Sequence, residues 1–239
     1  MTAALCTILP DRASIIVSGE DRKSFLQNLI TQDVSLLDTI PLIYSCLLTP
    51  QGKFLFDFFI RNEKDTLIID CEGGARAQSL LQRLSMYKLR SKVALSLKDN
   101  EMVYQIFSPS ALSPIKIDDV SCLPDPRHVQ CGYRMYGHIS YDKKNADFDI
   151  WDKHRIRLEV PDGSRDLIPD KSFIHEGRLD DFHAISYKKG CYVGQELVSR
   201  MHHRGLTKKI LKCVDVADLP EKADLRSSCN GVGLALVRV

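Results

Sequence analysis

Apolar and polar positions along this chain follow two periods in turn. Residues 14–17 form a mostly β-branched run that ends at Ser18-Gly19, after which Glu20 and Asp21 open a charged turn. That order predicts a strand leading into a helix capped near Ser18 or Gly19, with the acids at the positive end of the helix dipole. Phe25, Leu26, Leu29 and Ile30 then recur at helical spacing and are predicted to face the core. Residues 43–48 and 54–60 are apolar runs joined by Thr49-Pro50-Gln51-Gly52-Lys53, which reads as a hairpin connection. Further strands are predicted over 66–70 and 92–97. Between them Ala77, Leu80, Leu81, Leu84 and Tyr87 mark one face of an amphipathic helix.

A second strand-rich region begins at 102–107 and continues at 132–136 and 138–141. Pro109, Pro114, Pro124 and Pro126 break the sequence between into loops. Phe148, Trp151, Ile156 and Leu158 predict a helix over 147–158, ended by Pro161-Asp162-Gly163. After Gly205 the pattern turns to strands at 210–216 and 232–239, and the link from Ala217 to Leu225 looks compressed.

Composition narrows the class without naming a function. The 239 residues are 44% hydrophobic and 27% charged, enough apolar material for a sizeable core. A net charge of +2 recruits no nucleic acid globally, so any anion site must be local. No apolar run approaches the roughly 18 residues of a membrane span. Neither nucleic acid nor membrane is therefore expected as a partner. Eight cysteines without a C-x-x-C pair argue against a zinc ribbon or a thioredoxin motif, and no metal ligands are assigned. Residues 1–10 lack the basic start of a secretory signal. A reducing compartment is expected: the cytoplasm of a bacterium, or the mitochondrial matrix if the source is eukaryotic.

The least ordinary stretch is Lys189-Gly190-Cys191-Tyr192-Val193-Gly194-Gln195-Glu196, a lone thiol set between glycines and close to a lysine. A helix predicted to start near Gly194-Gln195, together with Lys188 and Lys189, would favour a thiolate at Cys191. The competing reading is a small buried hydrophobe. Downstream, Arg200, His202, His203, Arg204, Lys208 and Lys209 form a basic cluster suited to carboxylates or phosphates. It reads equally as a solvated strand or loop. On a strand, adjacent His202 and His203 would point to opposite faces, which argues against a shared metal.

Residues 189–196 resemble the K-G-C-Y-x-G-Q-E signature of the folate-binding YgfZ family, relatives of the glycine-cleavage T-protein, and residues 200–205 resemble the R-x-x-H-R-G that follows it. The likeness takes in Val17-Ser18-Gly19, Pro50-Gln51-Gly52-Lys53, Asp57, Tyr87-Lys88-Leu89-Arg90, Arg155-Ile156 and His175-Glu176. Glu159 and Ile174 stand where the family commonly has Gly and Pro, and fewer residues follow Gly205 than its C-terminal β-barrel uses.

The resemblance implies an α+β, T-protein-like body of ferredoxin-like sheet and helix units. Residues 1–100 form its first half, 101–205 its second half with the cysteine signature, and 206–239 a short β-barrel remnant. It also implies a reduced folate such as tetrahydrofolate as ligand, and iron–sulfur assembly proteins or client enzymes as partners. Cys191 becomes the working residue, and Asp57, Lys189, Tyr192, Gln195, Glu196, Arg200 and Arg204 the folate-binding set. One cysteine cannot hold a [4Fe–4S] cluster, which ordinarily takes four thiolates, so a stable cluster would need other chains. The alternative is a tetrahydrofolate-dependent aminomethyltransferase of the T-protein type. T-proteins carry an acidic pair after the hairpin, where this chain has only the Asp57 of Phe54-Leu55-Phe56-Asp57-Phe58, and they lack the cysteine signature. A third reading, a nucleic-acid-modifying protein using the basic cluster, is disfavoured by the near-neutral charge.

Overall fold

The computed structural model describes residues 4–109, 122–137 and 145–239. A five-stranded antiparallel sheet carries the first half of the chain, in the order β3 (Leu42–Leu48), β4 (Phe54–Glu63), β5 (Thr66–Glu72), β2 (Arg12–Ser18), β6 (Ala94–Lys98). Alternation in β3 and β4 divides two cores. Ile43, Leu47, Phe56, Phe58 and Ile60 join Ala13, Ile15 and Val17 beneath α1 (Arg22–Gln27) and α2 (Gly74–Lys88), where Ala77, Leu80 and Leu84 close the layer. Tyr44, Cys46, Leu48 and Phe59 turn the other way, into the second core. Every residue of β3 is buried, because both of its faces are covered.

The second sheet is four-stranded and antiparallel: β1 (Leu5–Ile8), β7 (Val103–Phe107), β9 (Tyr133–Tyr136), β8 (Cys122–Pro124). β1 pairs with β7 in the register Leu5↔Phe107, so the start of the chain belongs to the sheet of the second half. α3 (Phe148–Arg157) packs Trp151 edge-on against Phe107, ring centroids 5.1 Å apart. The strand read at 138–141 falls outside the described residues.

Three local expectations change. α1 begins at Arg22, and the Asp21 carboxylate accepts from the Lys92 N–H rather than capping the helix, so neither Ser18 nor Gly19 is its cap. The basic cluster is neither strand nor loop at its start: α5 (Gln195–Arg204) begins where predicted and runs through both histidines. Finally, the C-terminal segment is a three-stranded antiparallel sheet, β10 (Lys209–Asp215), β12 (Val232–Arg238), β11 (Asp224–Cys229), with no closed barrel among the described residues. The compressed link over 217–225 runs into β11, a strand the sequence pattern does not predict because its charged and serine-rich sequence hides it.

This sheet is fastened to the body by a buried ionic hub. Arg155 donates to Asp152, to Asp166 in the short α4 (Gly163–Asp166), to the Val160 carbonyl and to Ser227 Oγ of β11. Asp166 in turn accepts from Ser227 Oγ and from the Asp162 N–H.

Candidate functional site

A cavity of about 310 Å³ opens between the polar face of the five-stranded sheet, the second sheet, α3 and α4. Its chemistry follows from strand parity. Arg12, Asp57, Phe59 and Glu72 occupy alternate positions that turn away from the helix-covered core, and all four line the cavity. Asp57 accepts a 2.7 Å hydrogen bond from the Tyr44 hydroxyl. Phe59 lies under two guanidinium groups, Arg134 at 3.9 Å and Arg127 at 4.9 Å from its ring centroid. Asp125 holds Arg127 by a two-pronged pair, and Asp70, on the same sheet, accepts from Arg12, Arg134 and Tyr136. Trp151 and Phe148 close the apolar side.

Two cavity carboxyls are driven apart in acidity. Burial raises Asp57, Asp162 and Glu72 raise it further, and the Tyr44 hydrogen bond and Arg12 only partly oppose them, so Asp57 holds its proton above the ordinary carboxyl range. Burial also acts on Asp162, but Arg155 and Arg165 outweigh it and hold that group well below the ordinary range. One wall thus presents a carboxyl of raised pKa and the other a firm anion, two acids whose surroundings push them apart.

The cysteine segment forms a second locus. Among the eight cysteines Cys191 is the exposed one, Cys213 is intermediate and the rest are buried, so the small-buried-hydrophobe reading fails. Lys189 does not serve the thiol as its sequence neighbourhood suggested. Its ammonium is buried and donates to the Ile30 and Gln32 carbonyls, at 2.7 and 2.9 Å, 5.3 Å from the Tyr192 ring centroid. Burial pushes it down to about 8, with Asp33 pulling the other way. Thr31 and Gln32 stitch the same stretch to the Ala184 and His183 carbonyls, so residues 183–189 are sewn onto 30–32. Tyr192 packs into the main core with its hydroxyl unpartnered.

The hairpin and the cysteine signature meet through glycine. Gly194 holds φ at +84° at the entry to α5, and a Cβ there would sit 2.6 Å from the Thr49 carbonyl oxygen and 3.0 Å from Gly52 Cα. Gly52, at φ +72°, is equally close to Leu197 and the Gly194 carbonyl. Gly194→Ala combines a left-handed backbone with a clash against main chain. It is expected to cost about 2–4 kcal/mol in denaturant unfolding, and a loss below 0.5 kcal/mol would remove this contact from the account.

Asp57 alone of the sequence-predicted site residues lines the cavity. Lys189 and Tyr192 are buried while Cys191 between them is exposed, Gln195 and Glu196 lie in the first turn of α5, and Arg200 and Arg204 are exposed farther along it. Arg12, Arg127, Arg134, Arg155, Arg165 and Asp162 were missed as a site. Their signal is a charge at an inward strand position or beside an apolar helix face, and it becomes legible only once the strands are paired.

No family model matches the chain. It is 32% identical over 221 residues to the mitochondrial iron–sulfur cluster assembly factor IBA57 homologue of Mycosarcoma maydis, an alignment covering 84% of this chain and 54% of that protein. The Pyricularia oryzae homologue is 30% identical, with 92% of this chain and 60% of the relative covered. Human IBA57 is 28% identical, with 86% and 65% covered. The chain therefore spans between about half and two thirds of the length of these relatives. Its fold is that of the glycine cleavage system aminomethyltransferase T from Bartonella henselae, with TM-score 0.74, 14% identity, and 99% of this chain and 79% of that one covered.

Proposed function

We propose that the chain is a YgfZ-type iron–sulfur cluster assembly factor that binds a reduced folate in the charged cavity and works through Cys191. One observation carries the reading: the single exposed cysteine stands on the K-G-C-Y-V-G-Q-E segment, in a chain similar across most of its length to iron–sulfur assembly factors. The relatives are named as mitochondrial, which supports the matrix as its compartment. No helix among the described residues is long and apolar enough to cross a membrane.

The donor set fits a folate. A pterin needs a carboxyl for its amino-pyrimidine edge and flat apolar walls, which Asp57 with Phe59, Phe148 and Trp151 supply. About 310 Å³ is at the small end for ligand sites, enough for the bicyclic ring. When bound, the folate supplies one-carbon or reducing chemistry. The protein's own part is to orient the ring against the Asp57 carboxyl and balance charge with Arg12 and Arg165. Arg200 and Arg204 are assigned to the glutamate tail or to an acidic partner surface, and Lys189, Tyr192, Gln195 and Glu196 to holding the Cys191 segment in shape for either.

Tetrahydrofolate is expected to raise the melting temperature, since a ligand selective for the native state stabilises it by mass action. Asp57 makes the test sharper. Its folded-state pKa is raised, so it costs stability as pH rises through the window above the unfolded carboxyl value of roughly 3.9. Asp57→Asn should therefore melt higher than the parent at pH 7 without ligand, yet lose the folate-induced shift. A variant that keeps the full shift would remove Asp57 from the site, and a parent that shows none at millimolar tetrahydrofolate would remove folate altogether. Arg204→Ala should weaken a polyglutamylated folate more than the monoglutamate, with the gap narrowing in high salt; equal losses would leave the partner assignment alone standing.

The aminomethyltransferase reading draws on the shared fold, which is the whole of what 14% identity carries. Incubation with an aminomethylated lipoyl carrier and tetrahydrofolate decides it. Methylenetetrahydrofolate and ammonia released at enzymatic turnover would replace the assembly-factor proposal.

A further inference from the structure

Among the described residues outside the cavity and the Cys191 segment, a group of ligand-bearing side chains is gathered from two stretches of chain. His175 and Asp180 lie in a succession of tight turns, in which the Arg178 N–H donates to the His175 carbonyl and the His183 N–H to the Asp180 carbonyl, each at 3.1 Å. His202 comes down on them from the last turn of α5. The three bring a ring nitrogen, a carboxylate oxygen and a second ring nitrogen within 4.8 Å of one another. Asp180 Oδ2 is 3.8 Å from His202 Nδ1.

Tyr187 steadies both rings. Its own ring stacks on His202, with centroids 3.9 Å apart and planes 23° from parallel, and its hydroxyl is 3.2 Å from His175 Nε2. His175 is only 5% exposed, and its Nδ1 is buried with no hydrogen-bond partner. A buried ring nitrogen with nothing to bind is uncommon and calls for a cause, an unseen ion among them.

We propose that His175, Asp180 and His202 are the protein ligands of a site for a first-row divalent transition metal such as Zn²⁺ or Fe²⁺, with Tyr187 as a positioning residue. Two imidazoles and one carboxylate are a donor set for these ions. Mg²⁺ and Ca²⁺ prefer all-oxygen sites and are disfavoured. A hydroxyl held against a ligating imidazole is the usual kind of outer contact that fixes the ring. Metal–ligand bonds of about 2.0–2.2 Å require the three groups to draw together. Asp180 and His202 are partly exposed and can move, while His175 is the fixed anchor. Three protein ligands leave coordination positions open on the exposed His202 side, for water or an incoming donor. The site uses none of the residues assigned to folate or to Cys191 and goes beyond that reading.

The test uses the full chain carrying Cys191→Ser, so that the exposed thiol does not compete. Titration with Co²⁺ should give one equivalent bound, with visible ligand-field bands of a nitrogen and oxygen environment and no thiolate charge-transfer absorption. Zn²⁺ should displace it. Adding His202→Ala or Asp180→Asn should each weaken Co²⁺ binding at least tenfold, while circular dichroism and melting temperature without metal stay close to the parent. Both positions are partly exposed, so a folding failure of the buried His175→Ala leaves the test intact. Absence of Co²⁺ binding, a thiolate band, or affinity unchanged in both variants would overturn the proposal and leave the cluster a hydrogen-bonded turn.

Discussion

Arg155→Ala is expected to remove about 3–5 kcal/mol of stability, the range for stripping one member from a buried ionic network. The guanidinium is 1% exposed and sits between the carboxylates of Asp152 and Asp166, themselves almost wholly buried. Truncation leaves two acids facing each other in a low-dielectric interior, with Arg165 near Asp152 as a half-exposed substitute for one of them alone. For a domain of this size the loss corresponds to roughly 6–20 °C in melting temperature. The damage should also be directional. Arg155 reaches Ser227 of β11, and Asp166 bonds the same hydroxyl, so the C-terminal sheet loses its main polar fastening. Hydrogen exchange ought to accelerate in β11 and β12 before it does in β3 and β4. A loss under 1 kcal/mol, or uniform acceleration across all sheets, would show that apolar packing through Leu211, Leu234 and Leu236 and the β10 hydrogen bonds to Glu159 and Glu176 hold the sheet without the hub.

How much of this was legible beforehand varied with the range over which the signal acts. β3 and β4 declare themselves because a run buried on both faces stays apolar at every position, and the Pro-Gly hairpin between them punctuates the chain. α2 shows its stripe for the same local reason. β1 was invisible: four residues near the chain start take their strand conformation from β7, about a hundred residues away. β11 is hidden because Ser227 takes one of its two buried positions and Asp224, Arg226 and Ser228 flank them, which leaves no apolar alternation to read. The extent of α5 was readable in principle from Leu197, Val198 and Met201, but the density of cationic side chains masked that spacing.

The site divides along the same line. Cys191 is conspicuous locally as a lone thiol between glycines, whereas Asp57 enters as a candidate only through motif resemblance, which carries tertiary information that a single chain does not display. The arginines of the cavity come from positions 12, 127, 134, 155 and 165, and no local window contains more than two of them. Lys189 shows the converse error. It stands two residues from Cys191 in sequence, and was read as a partner to the thiol, yet its ammonium turns inward to two carbonyls of the loop after α1. A buried lysine at that place fixes the shape of the segment.

The largest functional effect is expected at Cys191. Cys191→Ser changes one exposed atom and disturbs no buried contact, so its unfolding midpoint should match the parent within about 0.5 kcal/mol. Under the proposed assembly role, the same variant should fail to restore iron–sulfur enzyme activity in cells lacking the native protein, with client activity falling to the level of the empty vector. The loss should persist when the variant accumulates to parental levels, which separates chemistry from abundance. Folate supplies an internal control, since Asp57 and Cys191 belong to separate loci: the serine variant should keep the tetrahydrofolate-induced rise in melting temperature, and Asp57→Asn should keep the reactivity of the thiol toward an alkylating agent. Full rescue by Cys191→Ser, with the protein at normal abundance, would reduce the cysteine to a bystander and move the assembly role onto the cavity. Rescue failing in both variants, each folded and each retaining the other's property, is the result that binds the two loci into one function.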